Sequence, residues 1–211
     1  MNSHQNEVRE RILNKTKEKF SAIGYGKTSM DEIASELGMS KKTLYKFFPT
    51  KLQLAEELMA HTFAEVNRRC DTILASPLSA IEKLFRLIEL IADLQNRLVT
   101  KVMIESLHTH LPHLWQRIEA FRRERMHKNM QAIFEQGTRD GTIRTDLDCD
   151  MFLHFLQGAI QEGIQPKLLI NASYSMHAAI LILIDIFMNG VLTEAGRAQY
   201  QKLRAADMPP K

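Results

Sequence analysis

SMDEIASELGMSKKTLYKFFPTK, running from Ser29 to Lys51, decides the fold. Ser29 and Glu32 have the spacing of a capping box, in which an N-cap hydroxyl and a carboxylate three residues on each accept a backbone N–H. A helix therefore starts at Met30. Ile33, Ala34 and Leu37 give it one apolar face, and Gly38 ends it. Ser40 caps a second short helix, KKTLYKFF, which must stop near Phe48 because Pro49 follows. Two short helices joined through Gly38-Met39 read as a helix-turn-helix, whose second helix enters a DNA major groove by its N-terminus.

The charges of that second helix fit such a partner. At about 100° per residue, Lys42, Tyr45 and Lys46 fall on the same side as Lys41, while Leu44, Phe47 and Phe48 occupy the opposite arc. Four lysines, Lys41, Lys42, Lys46 and Lys51, lie between Gly38 and Ala55 without an acidic residue. Lys41 and Lys42 take the first two positions of one helix and Lys51 the first of the next, where cations oppose the helix dipole by about 0.3–1 kcal/mol each. A phosphate backbone would resolve that conflict, since lysines and exposed helix N–H groups converge on one anion. A solvated basic face with no partner is the plainer reading of the same lysines.

Outward from this core, Val8, Ile12, Leu13, Thr16, Phe20 and Ile23 predict an amphipathic helix over about 6–22, ended by Gly24-Tyr25-Gly26. Thr50 caps a helix towards Phe63 with Leu52, Ala55, Leu58, Met59 and Phe63 as its stripe. Ser76-Pro77 is expected to open a helix to about Asn96, followed by one over about Leu98 to His110. Pro112 opens another to about Asp140, closed by Gly141. Asp148 caps one to about Ile164, Ser173 one ending at Asn189-Gly190, and a last helix spans about Thr193 to Leu203. No strand-period segment interrupts them. The expected fold is all-α: a three-helix head, 1–49, with the helix at 50–63 as connector, and a helical-bundle body, 64–211.

Composition agrees with a soluble helical protein. Of 211 residues, 45% are apolar and 25% charged, with nine Gly and six Pro, too few for the many tight turns of a β-sandwich or barrel. The net charge of +3 does not by itself identify a nucleic-acid binder. Cys70 and Cys149 are isolated from any ligand pattern, which fits a reducing cytoplasm. The N-terminus has no apolar leader, and the apolar run Ala178 to Ile184 is far short of the ~18 residues of a membrane span, so export and membrane insertion are not expected.

From Ile12-Leu13 through Gly24-Tyr25, Thr28-Ser29-Met30-Asp31-Glu32-Ile33-Ala34, Leu37-Gly38-Met39-Ser40-Lys41 and Thr43-Leu44-Tyr45-Lys46-Phe47-Phe48-Pro49-Thr50-Lys51, the chain resembles the N-terminal domain of the tetracycline-repressor (TetR) family. The resemblance implies a homodimeric, ligand-responsive transcriptional repressor that binds a double-stranded, pseudo-palindromic operator. It places Thr28, Tyr45 and Lys51 at phosphate-contacting positions. Lys41, Lys42, Thr43 and Lys46 match the end of the recognition helix that contacts bases or phosphates. Lys42 stands where the family commonly has a small residue, and Lys46 where an aromatic or histidine is common, so no relative's operator can be carried over.

The body offers fewer cues. Met103, Trp115, Phe134, Met151 and Phe155 are candidate liners of an effector cavity, although plain core packing fits the same spacing. Gln157 and Gln161, four apart on an apolar helix, are candidate polar anchors, because buried amides need partners. The helices at about 148–164 and 173–189 are apolar nearly all round, which a two-fold four-helix interface would satisfy. His108, His110 and His113 lack the helical spacing of a metal site because Pro112 separates them, and they are read as a helix junction. Arg122, Arg123 and Arg125 read as a solvated face. Acid–base pairs, nucleophile motifs and phosphate-cradling loops are absent, so neither an enzyme nor a cofactor is expected. The alternative is a DNA-organising dimer that senses nothing.

Overall fold

The computed structural model describes residues 3–98, 100–163 and 176–207. The described chain is all-α: α1 (Ser3–Lys27), α2 (Met30–Glu36), α3 (Lys41–Phe47), α4 (Lys51–Ala75), α5 (Ala80–Leu98), α6 (Lys101–His110), α7 (Pro112–Arg139), α8 (Cys149–Gly163), α9 (Met176–Val191) and α10 (Glu194–Asp207). Among these residues β pairing amounts to one isolated antiparallel bridge, Ile143 with Leu192. Contacts cluster into two compact units, Met1–Arg68 with Asp93–Arg122, and Arg69–Ala92 with Arg123–Lys211. This contact-based division differs from the expected division of tasks, because α6 and the start of α7 cluster with α1 to α3.

The first unit has two adjoining apolar clusters. In one, Ile12 and Leu13 of α1, Met30, Ile33 and Ala34 of α2, Leu44 of α3, Phe48 and Leu54 of α4 close on each other. The capping box at Ser29 is present in full, and the Ser40 hydroxyl accepts from the Thr43 N–H at 3.1 Å. Phe48 leaves the helix in an extended conformation and is wholly buried, so the residue that ends α3 also anchors it. In the second cluster Phe20, Ala55 and Met59 meet Leu107, Leu111, Leu114 and Trp115. Arg9 lies 4.7 Å above the Phe48 ring and pairs with Glu57, which ties α1 to α4 at the surface.

Three sequence expectations change here. Leu52 is 38% exposed and Leu54 takes its place in the core, so α3 and α4 are locked by Leu44, Phe48 and Leu54. Helix α4 continues to Ala75, three turns beyond Phe63, because nothing between them breaks it. Helix α1 breaks at Gly24 as expected, at φ +81° and ψ 162°, a conformation essentially confined to glycine, but one more helical turn follows to Lys27.

In the second unit Ser76 does not open α5. Its hydroxyl and N–H both donate to the Ile73 carbonyl, closing α4, and the cap of α5 stands three residues later, at Ser79. There Ser79 and Glu82 exchange the two hydrogen bonds of a second capping box. Ile81, Leu84 and Leu87 of α5 are buried with Ile133 and Phe134 of α7, Leu153 and Leu156 of α8, and Ile184 and Met188 of α9. Asp148 caps α8 as expected, accepting from the Met151 N–H at 2.7 Å. The expected cap at Ser173 lies outside the described residues. Arg125 is buried rather than solvated: its Nε donates to Asn129 at 2.9 Å and its terminal nitrogen to Asp71 at 2.7 Å. Asn129 in turn donates to the sulfur of Cys70 at 3.6 Å. Both cysteines are free.

Phe48→Ala deletes a fully buried ring at the junction of α3 and α4, and the expected loss is about 3–5 kcal/mol. Urea unfolding followed by far-ultraviolet circular dichroism measures it. A loss below ~1 kcal/mol would mean that the ring does not hold α3.

Candidate nucleic-acid interface

The exposed arc of α3 carries Lys41, Lys42, Thr43, Tyr45 and Lys46. Leu44 is fully buried between them, which fixes the rotation of a helix only seven residues long. Tyr45 is 44% exposed, unusual for an aromatic beside a well-formed core. The Thr43 hydroxyl lies 2.8 Å from that of Ser40, so its outward oxygen is already within a capping interaction. All five side chains are exposed.

Lys41 is less free than its sequence neighbours suggested. Its ammonium pairs with Asp31 of α2 at 2.5 Å, across the turn, with both side chains mostly exposed. The Ser29 N–H and hydroxyl hold the Glu32 carboxyl below its ordinary range, so it stays charged at the start of α2. Among the described residues no ion pair engages Lys42 or Lys46 on this face, whereas Lys41 has one.

Thr28 and Lys51 are placed differently. Thr28 is 2% exposed, its hydroxyl donating to the Gly24 carbonyl at 2.8 Å. Lys51 donates to the Tyr25 carbonyl at 2.8 Å and the Thr28 carbonyl at 2.7 Å, and its nitrogen lies 4.2 Å from the centre of the Tyr25 ring. Burial pushes its pKa below the usual lysine value, opposed by the charge of Glu32. The dipole conflict at the start of α4 is thus relieved within the chain, by carbonyls at the end of α1. An ammonium has three donors, so two of those of Lys51 are engaged.

The candidate effector liners divide between the units. Met103 and Trp115 pack into the second cluster of the first unit. Phe134 of the second unit is buried, its ring 5.4 Å from that of Phe152. Gln157 is half-buried. Met151 and Phe155 are 60% and 61% exposed, on the outer side of α8, where the same periodicity that predicts a core stripe supplies a second, external one. The side chain of Gln161 lies outside the described residues. Among the described residues no cluster of three His, Cys, Asp or Glu side chains could hold a metal ion. His108 packs on Trp115, His110 on Tyr25, and His113 lies 3.9 Å from Glu56.

Sequence reading missed Asp31, Thr100 and Ser106. Thr100 is the N-cap of α6 and also donates to the Ser21 carbonyl at 2.6 Å; as a threonine ahead of an apolar-periodic run it carried a readable capping signal. Ser106 accepts from the Gly26 N–H at 3.0 Å, a contact across 80 residues that no local signal announces.

Lys51→Ala should lower the stability of the free protein by about 1–3 kcal/mol, since two carbonyls lose a charged donor. Thermal unfolding without DNA measures this. A change within about 0.5 kcal/mol would mean that the ammonium does nothing for the fold.

Residues 12–58 match the family model described as bacterial regulatory proteins, tetR family. The HTH-type transcriptional regulator YvaF of Bacillus subtilis is 25% identical over 187 residues, spanning 88% of this chain and 96% of that protein. The HTH-type transcriptional repressor KstR2 of Mycolicibacterium smegmatis is 26% identical over 151 residues, 71% of this chain and 74% of its own. A solved structure of a TetR-family transcriptional regulator from Mesorhizobium loti has the same fold, with a TM-score of 0.68 at 23% identity, covering 91% of this chain and 100% of that one. Among the described residues no helix is long and apolar enough to cross a membrane.

Proposed function

Because the chain belongs to the tetR family of bacterial regulatory proteins, we propose that this transcriptional regulator is a homodimeric repressor, released from a pseudo-palindromic operator by a small molecule. Residues 1–49 are its reading head, 50–63 the connector, and 64–211 the effector-binding and dimerising body; it acts in the cytoplasm, where its operator lies.

The observation that carries the reading is the exposed face of α3. Lys42 and Lys46 stand there without an acidic neighbour on their helix, beside an exposed tyrosine, on a helix pinned by a buried leucine and phenylalanine. Major-groove recognition needs a rigid helix whose cations reach base edges and phosphates together. Lys42, at the N-terminal end, reads bases; Lys46 and Tyr45 hold the backbone. Lys41 joins them by exchanging Asp31 for a phosphate, a small cost for an exposed pair. Thr28 acts from beneath, by shaping the end of α1, and Lys51 reaches a phosphate with its remaining donor.

Dimerisation is supported by a second surface. Met151 and Phe155 of α8, with Ile182 and Ile186 of α9, are each at least 60% exposed, while Leu153, Leu156, Ile184 and Met188 of the same helices are buried. A second copy related by a two-fold axis covers such faces with their own equivalents. Two heads then meet half-sites about one helical turn, roughly 34–36 Å, apart. An effector that binds better when the heads are displaced weakens operator binding by the same factor.

In a randomised-site selection, Lys42→Ala should change the preferred bases of the half-site, whereas Lys46→Ala should weaken all sites about equally and lower the salt slope by roughly one unit. Unchanged relative preferences in the first variant would remove the base-reading role. Sedimentation at micromolar concentration should give a dimer, and the variant Phe155→Glu with Ile186→Glu a monomer. A stable wild-type monomer would refute the proposed interface.

A further inference from the structure

Helix α2 meets the exposed arc of α3 through one carboxylate. Its first turn carries two acidic residues, Asp31 and Glu32, and the fold uses them differently. Glu32 turns back on its own helix, accepts from the Ser29 N–H at 2.9 Å and completes the capping box. Asp31 turns the other way, across the turn between the two helices, and its Oδ2 lies 2.5 Å from the Nζ of Lys41, the first residue of α3. Among the described residues this is the one ion pair that either side chain makes. The placement of α3 has supports of its own: Leu44 and Phe48 are fully buried, and the Ser40 hydroxyl caps the helix by accepting from the Thr43 N–H. The Asp31–Lys41 pair, mostly exposed on both sides, adds little to that placement. What it changes is charge, at the end of α3 that enters the groove.

We propose that Asp31 is an attenuator of DNA binding, an intramolecular competitor that occupies the ammonium of Lys41 in the free protein and is displaced when a phosphate takes that ammonium. The proposal rests on the DNA-binding reading above and assigns a role to a residue outside the recognition helix. Displacement breaks the pair and leaves an uncompensated carboxylate beside the polyanion. Every phosphate carries the same charge whatever base pair it flanks, so the penalty is the same at a selected site and on random sequence. Asp31 thus sets the level of affinity and not the preferred bases. Its effect is largest at low ionic strength, where the pair is least screened and indiscriminate phosphate binding is tightest. The carboxylate therefore flattens the salt dependence of the head.

Asp31→Asn removes the charge and keeps the shape of the side chain. On the full chain at low salt, affinity for a site taken from randomised selection and for a random-sequence duplex should both rise, roughly two- to fivefold and by the same factor. The salt slope should steepen by up to about one unit, with the base preferences unchanged. A purely structural role for Asp31 predicts the opposite sign, because a loosened α2 weakens binding; thermal midpoints without DNA accompany each measurement. In a Lys41→Ala background the same substitution should lose most of its effect on both duplexes. Unchanged or lower affinity in Asp31→Asn overturns the proposal. So does an equal rise with and without Lys41, which would mean that the carboxylate repels DNA directly, and so does a rise confined to one of the two duplexes. If the wild-type protein binds neither duplex at any salt concentration, the DNA-binding reading fails and the attenuator with it. Wild-type binding with no gain in Asp31→Asn removes the attenuator alone.

Discussion

The ammonium of Lys51 closes the end of α1 onto the start of α4, and the arrangement of the head follows from that closure. A helix that breaks at a glycine leaves its last carbonyls without helical partners. Here those of Tyr25 and Thr28 face a cation at 2.8 and 2.7 Å, and the Tyr25 ring lies against the same cation. The start of a helix is a poor place for a positive charge and the end of one a good place. Putting Lys51 at both at once converts an unfavourable position in α4 into a favourable one beside α1. Thr28 completes the arrangement by returning its hydroxyl to the Gly24 carbonyl, so the elbow is bonded from inside and outside.

This changes which charges are available to a polyanion. Lys51 is held in the fold, and Lys41 rests against Asp31, but the two are held with different strength. The Lys41–Asp31 pair is mostly exposed, and such pairs contribute about 0–1 kcal/mol, so a phosphate would displace the carboxylate at little cost. Lys51 bonds to two backbone carbonyls in a half-buried position, and moving it would take the charged donor from both, leaving the Tyr25 carbonyl only the Thr28 N–H at 3.3 Å. The head therefore combines one fixed cation that shapes it with cations on α3 that can reorganise around a ligand.

The helix-turn-helix was legible because its instructions are local. Ser29 with Glu32, Ser40, Gly38 and Pro49 each act on backbone groups within a few residues, so their effect does not depend on the remainder of the fold. The same chemistry was available at Ser79 with Glu82, yet the neighbouring Ser76-Pro77 carried an equally good local signal, and tertiary packing of α5 chose between them. Gly24 was read as a terminator, which is its local meaning; that the chain resumes a helical turn beyond it follows from α6 and Lys51, both distant in sequence. Arg125 looked like one more surface arginine because its partners Asp71 and Asn129 come from two helices. Residue type could not distinguish it from Arg123.

Met151 and Phe155 mark the limit of periodicity as a guide. On α8, Leu153 and Leu156 form an inward stripe while Met151 and Phe155, four apart, form an outward one; on α9, Ile184 and Met188 face in while Ile182 and Ile186 face out. Both stripes have helical spacing, so the pattern predicts apolar cover on two sides without saying whether a cavity, the chain itself or another chain provides it. Exposure distinguishes the first two from the third. Four large apolar side chains each at least 60% exposed, on two helices that pack on each other, leave a face whose removal from water at about 25 cal/mol per Å² favours association. That is why these residues pass from candidate ligand contacts to the proposed two-fold interface.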